Sequence, residues 1–266
     1  MDAVRQLLEI MSRLRDPEHG CPWDLRQTYS TIVPYTLEEA YEVADAIQRD
    51  DMHELRDELG DLLFQVVFYS QIAMEEGHFD FNQVAQSICE KMLRRHPHVF
   101  SDAEYRSDEE LRQAWEHAKA QERELRCSTE RTSLLDGIAR ALPALIRAEK
   151  LQKRAADVGF DWPDEKGVLE KVHEELDEVQ TELGHGNTSR LQDELGDLLF
   201  SIVNLVRQLG LNAEQTMSRA NEKFERRFRA MEAAFEQRGR HKLDRLSPEE
   251  WDQAWEVVKS EERARS

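Results

Sequence analysis

Asp57-Glu58-Leu59-Gly60-Asp61-Leu62-Leu63-Phe64 recurs letter for letter as Asp193-Glu194-Leu195-Gly196-Asp197-Leu198-Leu199-Phe200, 136 residues further along the chain. Upstream, Glu38-Glu39-x-x-Glu42-Val43 recurs at the same offset as Glu174-Glu175-x-x-Glu178-Val179. Downstream, Lys91-x-x-Arg94-Arg95 corresponds to Lys223-x-x-Arg226-Arg227, and Gln113-Ala-Trp115-Glu-x-x-Lys119 to Gln253-Ala-Trp255-Glu-x-x-Lys259. Four blocks kept in order while the spacing between them drifts by a few residues mark a duplicated domain. Arg123 to Arg131 is polar and without apolar periodicity. The expected organisation is one helical domain over 1–125, a linker over 126–133 and a second helical domain over 134–266.

Both copies read as helix. Val4, Leu7, Leu8, Met11 and Leu14 follow the three-to-four spacing of an amphipathic helix, as do Leu55, Leu59, Leu62, Leu63, Val66 and Val67. Helix starts are written at Ser107-x-x-Glu110, Asn212-x-x-Gln215 and Ser247-Pro248-x-Glu250. Turns are expected at Gly77, Pro97, Gly159 to Pro163, Gly184 to Asn187, and Gly210. No stretch alternates with β-branched residues, so the expected fold is all-α, a tandem pair of helical bundles.

Residues three apart on a helix share a face, so Glu39 points with Glu42, and Glu58 with Asp61. A short connection around Arg49 to Met52 makes the two helices an antiparallel pair, which gathers the four carboxylates. Glu175, Glu178, Glu194 and Asp197 repeat the arrangement. Four carboxylates at close range repel one another unless a cation sits among them. An all-oxygen set selects Mg²⁺ or Mn²⁺ over zinc, and no His stands at the i+3 positions that di-iron bundles use. One Glu-x-x-Glu alone is more often a solvated face, and Glu39 can instead complete a capping box with Thr36. The interleaved leucines, and the presence of both pairs in both copies, favour the metal. Gly60 and Gly196 sit inside helices at a cost of about 1 kcal/mol each relative to Ala. That suggests close approach of a backbone or ligand, although helix packing explains it equally well.

A metal with open positions can grip a polyphosphate and activate water. Lys223, Arg226 and Arg227, and likewise Lys91, Arg94 and Arg95, form either a fork for phosphate oxygens or an ordinary salt-bridge face such as Glu222 with Arg226. Trp115 and Trp255 can stack on a base or belong to a core. Lys119 and Lys259 lie one turn beyond. No G-x-x-x-x-G-K loop and no recognisable nucleophile motif occurs.

Composition sets outer bounds. With 36 Lys plus Arg against 55 Asp plus Glu, the formal charge of −19 repels a nucleic-acid backbone. No apolar run approaches the ~20 residues of a membrane span, and no signal-peptide core follows Met1. Cys21, Cys89 and Cys127 are odd in number and lack C-x-x-C spacing, which fits a reducing, cytoplasmic setting.

Cys21-Pro-Trp-Asp24, Glu38-Glu-x-x-Glu42, the two Asp-Glu-Leu-Gly-Asp-Leu-Leu-Phe blocks, Arg94-Arg-His-Pro-His-Val-Phe100 and Val158-Gly-Phe-Asp-Trp162 together resemble the MazG family of nucleoside triphosphate pyrophosphohydrolases in its two-repeat form. The resemblance covers essentially the whole chain. It implies a homodimer with helices packed across protomers, and hydrolysis of nucleoside triphosphates of broad base range to monophosphate and pyrophosphate, a role in nucleotide-pool house-cleaning or regulation. It implies Glu175, Glu178, Glu194 and Asp197 as Mg²⁺ ligands and catalytic carboxylates, with Glu39, Glu42, Glu58 and Asp61 as a second set. Lys223, Arg226 and Arg227 would hold phosphates and Trp255 would approach the nucleoside. Lys171, Glu174 and Lys259 complete the expected substrate-binding set. The C-terminal copy is the expected catalytic one, although the first quartet is intact too. Two other readings fit the residues: a non-enzymatic acidic helical adaptor, and a narrower pyrophosphohydrolase acting on dUTP or phosphoribosyl-ATP.

Overall fold

The computed structural model describes residues 3–101, 107, 110–111, 114–115, 133–237 and 246–265. The linker expected at 126–133 lies, apart from Ser133, outside these residues, as do Lys119 and Cys127. The chain separates into two compact units, 1–128 and 129–266. The described residues are helical, as their periodicity requires, and contain no strand.

Unit 1 contains α1 (Ala3–Leu14), α2 (Pro22–Leu25), α3 (Tyr29–Gln48), α4 (Met52–Glu75), α5 (Phe81–Arg95) and α6 (Pro97–Phe100). Thr28 opens α3 in a reciprocal capping box with Thr31. Thr36 is therefore mid-helix, where its hydroxyl donates to the Ile32 carbonyl at 3.2 Å and meets the Tyr69 hydroxyl at 2.9 Å. The capping alternative for Glu39 is thereby removed. Asp50 takes a positive φ of 56° between α3 and α4, and Asp51 caps α4 by accepting from His53 and Glu54. This tight connection makes α3 and α4 an antiparallel pair.

Met11, Ile32, Val67, Phe68 and Ile72 form the core of unit 1. Arg15 closes its edge. Its guanidinium bonds both oxygens of Glu75, donates to the Asp24 carbonyl at 2.6 Å and lies 5.5 Å from the centroid of the Phe68 ring.

Unit 2 contains α7 (Ala144–Ala156), α8 (Glu165–His185), α9 (Thr188–Gln208), α10 (Ala213–Gln237) and α11 (Pro248–Arg265). Asp164 caps α8, Gly186 ends it in the left-handed conformation with φ 68°, and Asn187 caps α9. The α8–α9 pair thus repeats the α3–α4 hairpin. Starts written in the sequence appear where expected: Asn212 accepts from the Gln215 amide at 2.9 Å, and Ser247 and Glu250 bond reciprocally before α11. Gln152 on α7 donates to the Phe200 carbonyl at 2.7 Å, and Glu149 accepts from Asn212 at the start of α10.

Phe68 is 1% exposed and is the largest fully buried side chain of the unit 1 core. Phe68→Ala is expected to destabilise unit 1 by about 3–5 kcal/mol, read as a fall in the urea midpoint of that unit's transition. An unchanged midpoint would mean the ring is not the centre of this core.

Candidate active site

The carboxylates of unit 2 meet where α8 and α9 run antiparallel. Glu175 is 4% exposed on α8, and one of its oxygens lies within 4.8 Å of an oxygen of Glu194 and one of Asp197, both on α9. Lys171, one turn before Glu175, sits 2.7 Å from its Oε1 and 2.8 Å from Oε1 of Glu174. Those two hydrogen bonds push the ammonium pKa well above its usual value. Oε2 of Glu175 is buried and accepts no hydrogen bond from the described residues. A buried carboxylate oxygen beside two further carboxylates, with one lysine to answer it, is a strong local excess of negative charge. Glu178 stands beside this cluster rather than within it. Lost hydration, then repulsion from Glu175 and Glu194, raise its pKa above the usual carboxylate value.

Unit 1 gathers a different three of its four. Oxygens of Glu39, Glu42 and Glu58 converge within 4.8 Å. Desolvation, then repulsion from Asp61, Glu42 and Glu58, raises the Glu39 pKa; desolvation, then Glu42 and Asp61, raises that of Glu58. At the offset of 136 that relates the helix pairs, Tyr35 stands in place of Lys171 and Phe68 in place of Asn204.

The basic residues and tryptophans fall elsewhere in unit 2. Arg226 and Arg227 both bond Glu262 of α11, Arg226 through Nε at 3.1 Å and Arg227 through Nε at 2.7 Å. Arg226 therefore pairs with Glu262 rather than with Glu222, which instead accepts from Ser218 at 3.3 Å. The guanidinium of Arg227 lies 5.6 Å from the Trp255 ring centroid, and Trp255 packs 5.5 Å from Phe224. Lys259 pairs with Glu256, and Lys223 is exposed. Arg226, Arg227, Phe224 and Trp255 thus tie α10 to α11, whereas the Lys259 pair lies within α11. In unit 1, Trp115 packs against His96 with ring centroids 5.8 Å apart.

A cavity of about 770 Å³ opens beside the carboxylates, and Lys171, Glu175 and Asp197 are in its wall. Lys223, Arg226, Arg227, Trp255 and Lys259 are not among its lining residues. Its other walls were not picked out by sequence reasoning as functional: Gln152 of α7, Phe160 to Trp162, and Asn204 and Arg207 of α9. Two signals for them exist. Asn204 and Arg207 follow Asp197 by seven and ten residues, two and three helical turns along the same face, and Val158 to Trp162 is one of the motifs quoted above. Arg207 bonds Asp161 at 2.5 Å and Asn204 Oδ1 at 2.6 Å, while Gln208 bonds Asp161 and the Trp162 carbonyl. Burial works against ionisation of Asp161, but the Arg207 hydrogen bond and the Trp162 amide hold its pKa below the usual value. Gly167 matters here, because a Cβ would come 2.9 Å from the Trp162 ring.

Gly60 and Gly196 have nothing within 4 Å of an added Cβ. Among the described residues, no segment supplies the close approach that a helical glycine suggested.

The MazG nucleotide pyrophosphohydrolase domain matches residues 27–100 and again 164–231, one match in each repeat. The chain is 52% identical to the nucleoside triphosphate pyrophosphohydrolase of Escherichia coli K12, over 98% of this chain and 99% of that protein. It is 42% identical to the nucleoside triphosphate pyrophosphohydrolase/pyrophosphatase MazG of Thermotoga maritima, over 96% and 94% of the two chains. The crystal structure of a mazG-related protein from Thermotoga maritima covers 44% of this chain and 98% of its own, with 30% identity and a TM-score of 0.38. With both repeats matched and its relatives aligned almost end to end, the chain belongs to the MazG nucleotide pyrophosphohydrolase family.

Proposed function

We propose that this chain hydrolyses nucleoside triphosphates to the monophosphate and pyrophosphate in its second repeat, with Mg²⁺ held by Glu175, Glu194 and Asp197 and completed by Glu178. One observation carries the reading: the unanswered Oε2 of buried Glu175, with Glu194 and Asp197 oxygens converging beside it, in the wall of a cavity large enough for a nucleotide. All donors are carboxylate oxygens, the set that fits a hard divalent ion. Such an ion, when bound, neutralises phosphate charge and lowers the pKa of a coordinated water.

The protein's own groups do the rest. Lys171 offers its ammonium to phosphate oxygens from the wall that holds Glu175, and Glu174 orients Lys171 from the other side. Lys223, exposed on α10, offers further positive charge to the phosphate tail, and Arg226, Arg227 and Lys259 join it only where the triphosphate displaces Glu262 and Glu256 from them, with Trp255 supporting Arg227 through the face of its ring. The apolar share of the cavity wall excludes water around the reacting phosphates, which strengthens each of these contacts.

The second repeat is favoured because the first has lost two features while keeping its carboxylates. Tyr35 supplies no cation where Lys171 stands, and Phe68, 1% exposed, is in the core where Asn204 lines the cavity. A homodimer belongs to the same proposal. Leu195, Leu199 and Ile202 lie on one stripe of α9 and are 43%, 53% and 40% exposed, next to the open surface of Gly196. A stripe of this kind is covered by another helix in most proteins. No described helix is long and apolar enough to cross a membrane, and Cys21 and Cys89 are free thiols. We place the protein in the cytoplasm, acting on nucleotide pools rather than on nucleic acid.

Glu194→Gln is expected to lower Mg²⁺-dependent pyrophosphate release about a hundredfold or more, whereas Glu58→Gln retains most of it. The reverse result would move catalysis to the first repeat. Mg²⁺ alone should raise the melting temperature near neutral pH. That rise should shrink as pH falls toward the carboxyl range, because a carboxyl of raised pKa such as Glu178 takes up its proton earlier than an ordinary one and then no longer ligates. A pH-independent shift would exclude the cluster as the binding site. Leu199→Glu should convert the dimer to monomer in light scattering coupled to size exclusion; an undisturbed dimer would place the interface elsewhere.

A further inference from the structure

The cavity beside the carboxylates has two kinds of wall. Lys171, Glu175 and Asp197 are charged, whereas Leu135, Leu151, Phe160 and Trp162 are apolar or aromatic. Only the first kind offers charged groups to the phosphates or their metal, and excluding water does not by itself require aromatic rings. Phe160 is 81% exposed and Trp162 is 43% exposed, an unusual outlay of aromatic surface at a position where both line a cavity.

The segment that carries them is held from beneath. Asp161, between the two rings, accepts from Arg207 at 2.5 Å and from Gln208 at 3.0 Å, and also from the Trp162 amide at 2.9 Å. Gln208 further fixes the Trp162 carbonyl at 3.1 Å, and the Trp162 ring rests against Gly167. The aromatic pair is thus presented by a braced loop. The same brace orients one polar group of the cavity. Arg207 donates to Oδ1 of Asn204 through Nε at 3.1 Å and through its terminal nitrogen at 2.6 Å. With Oδ1 so engaged, the amide nitrogen of Asn204 is the end left to donate.

We propose that Phe160 and Trp162 form the nucleobase wall of this site, with Asn204 donating to the base edge. The proposal rests on the pyrophosphohydrolase reading above. Its occupant is the heteroaromatic base of the same molecule whose phosphates meet Lys171 and the carboxylates. A cavity of about 770 Å³ falls within the range of sites that enclose small ligands. Stacking against an aromatic side chain is insensitive to sequence because each base offers a π-face. Every common base also carries at least one edge acceptor for a single amide donor. This wall therefore favours a base-tolerant enzyme, and Asp161 is a positioning residue that acts through Phe160, Trp162 and Asn204.

The full-length protein with Mg²⁺ and each common deoxynucleoside triphosphate provides the test, with wild type, Phe160→Ala and Phe160→Tyr compared for KM and kcat. Inorganic tripolyphosphate, which carries the phosphates without a base, serves as competitive inhibitor. Because Phe160 is exposed, its removal leaves folding intact. Phe160→Ala should raise KM about tenfold for purine and pyrimidine substrates alike, Phe160→Tyr should restore it, and the inhibition constant of tripolyphosphate should stay at its wild-type value. An unchanged KM in Phe160→Ala, or a parallel weakening of tripolyphosphate, would overturn the base wall while pyrophosphate release by the wild type upholds the hydrolase reading. A wild type that releases no pyrophosphate from any triphosphate would overturn the hydrolase reading, and the wall with it.

Discussion

Mutual repulsion among carboxylates held between two antiparallel helices is the constraint around which each repeat is arranged. Glu175 is buried with one oxygen answered by Lys171 and the other by nothing among the described residues, and Glu194 and Asp197 crowd the same point. Desolvation and like-charge proximity both act against the ionised state, as the raised pKa of Glu178 reports. A packed hairpin tolerates such a site only if its other contacts are strong. The caps at Asp164 and Asn187, the left-handed Gly186 and the tie from Gln152 to Phe200 supply that rigidity. On the proposed reading the unfavourable electrostatics belong to function, since such a charge would attract a divalent ion.

Duplication followed by divergence explains why two similar clusters sit in dissimilar surroundings. The carboxylate spacing survives in both copies, because it depends only on helix period and hairpin register. The neighbourhood depends on single side chains and has changed. Tyr35 and Phe68 replace a cation and a cavity-lining amide, and Phe68 has joined Met11, Ile32, Val67 and Ile72 in a filled core. At the position of Asn204 unit 1 packs a core ring, and Arg15, clasping Glu75 over the Phe68 ring, closes the edge. Unit 2 keeps its space open and braces it with Asp161, Arg207 and Gln208 instead.

Helix period and repetition were enough to read several features directly from the residues. The all-α fold, the duplicated hairpins, the starts at Asn212 and Ser247, and the pairing of Glu194 with Asp197 all follow from spacings of three to four residues, which geometry translates into faces with little ambiguity. The sequence by itself also determined the family, because the motifs that carry it are contiguous. Only the tertiary structure decided which residues share a space. Arg226 and Arg227 meet Glu262, thirty-odd positions away, and the cavity draws on α7, the Phe160 loop, α8 and α9 together. It also separated Glu178 from the tight carboxylate trio, and left Gly60 and Gly196 facing open surface. Such outcomes depend on how helices cross and which side chains fill the gaps between them, and distances of that kind are not written in the periodicity of any one helix.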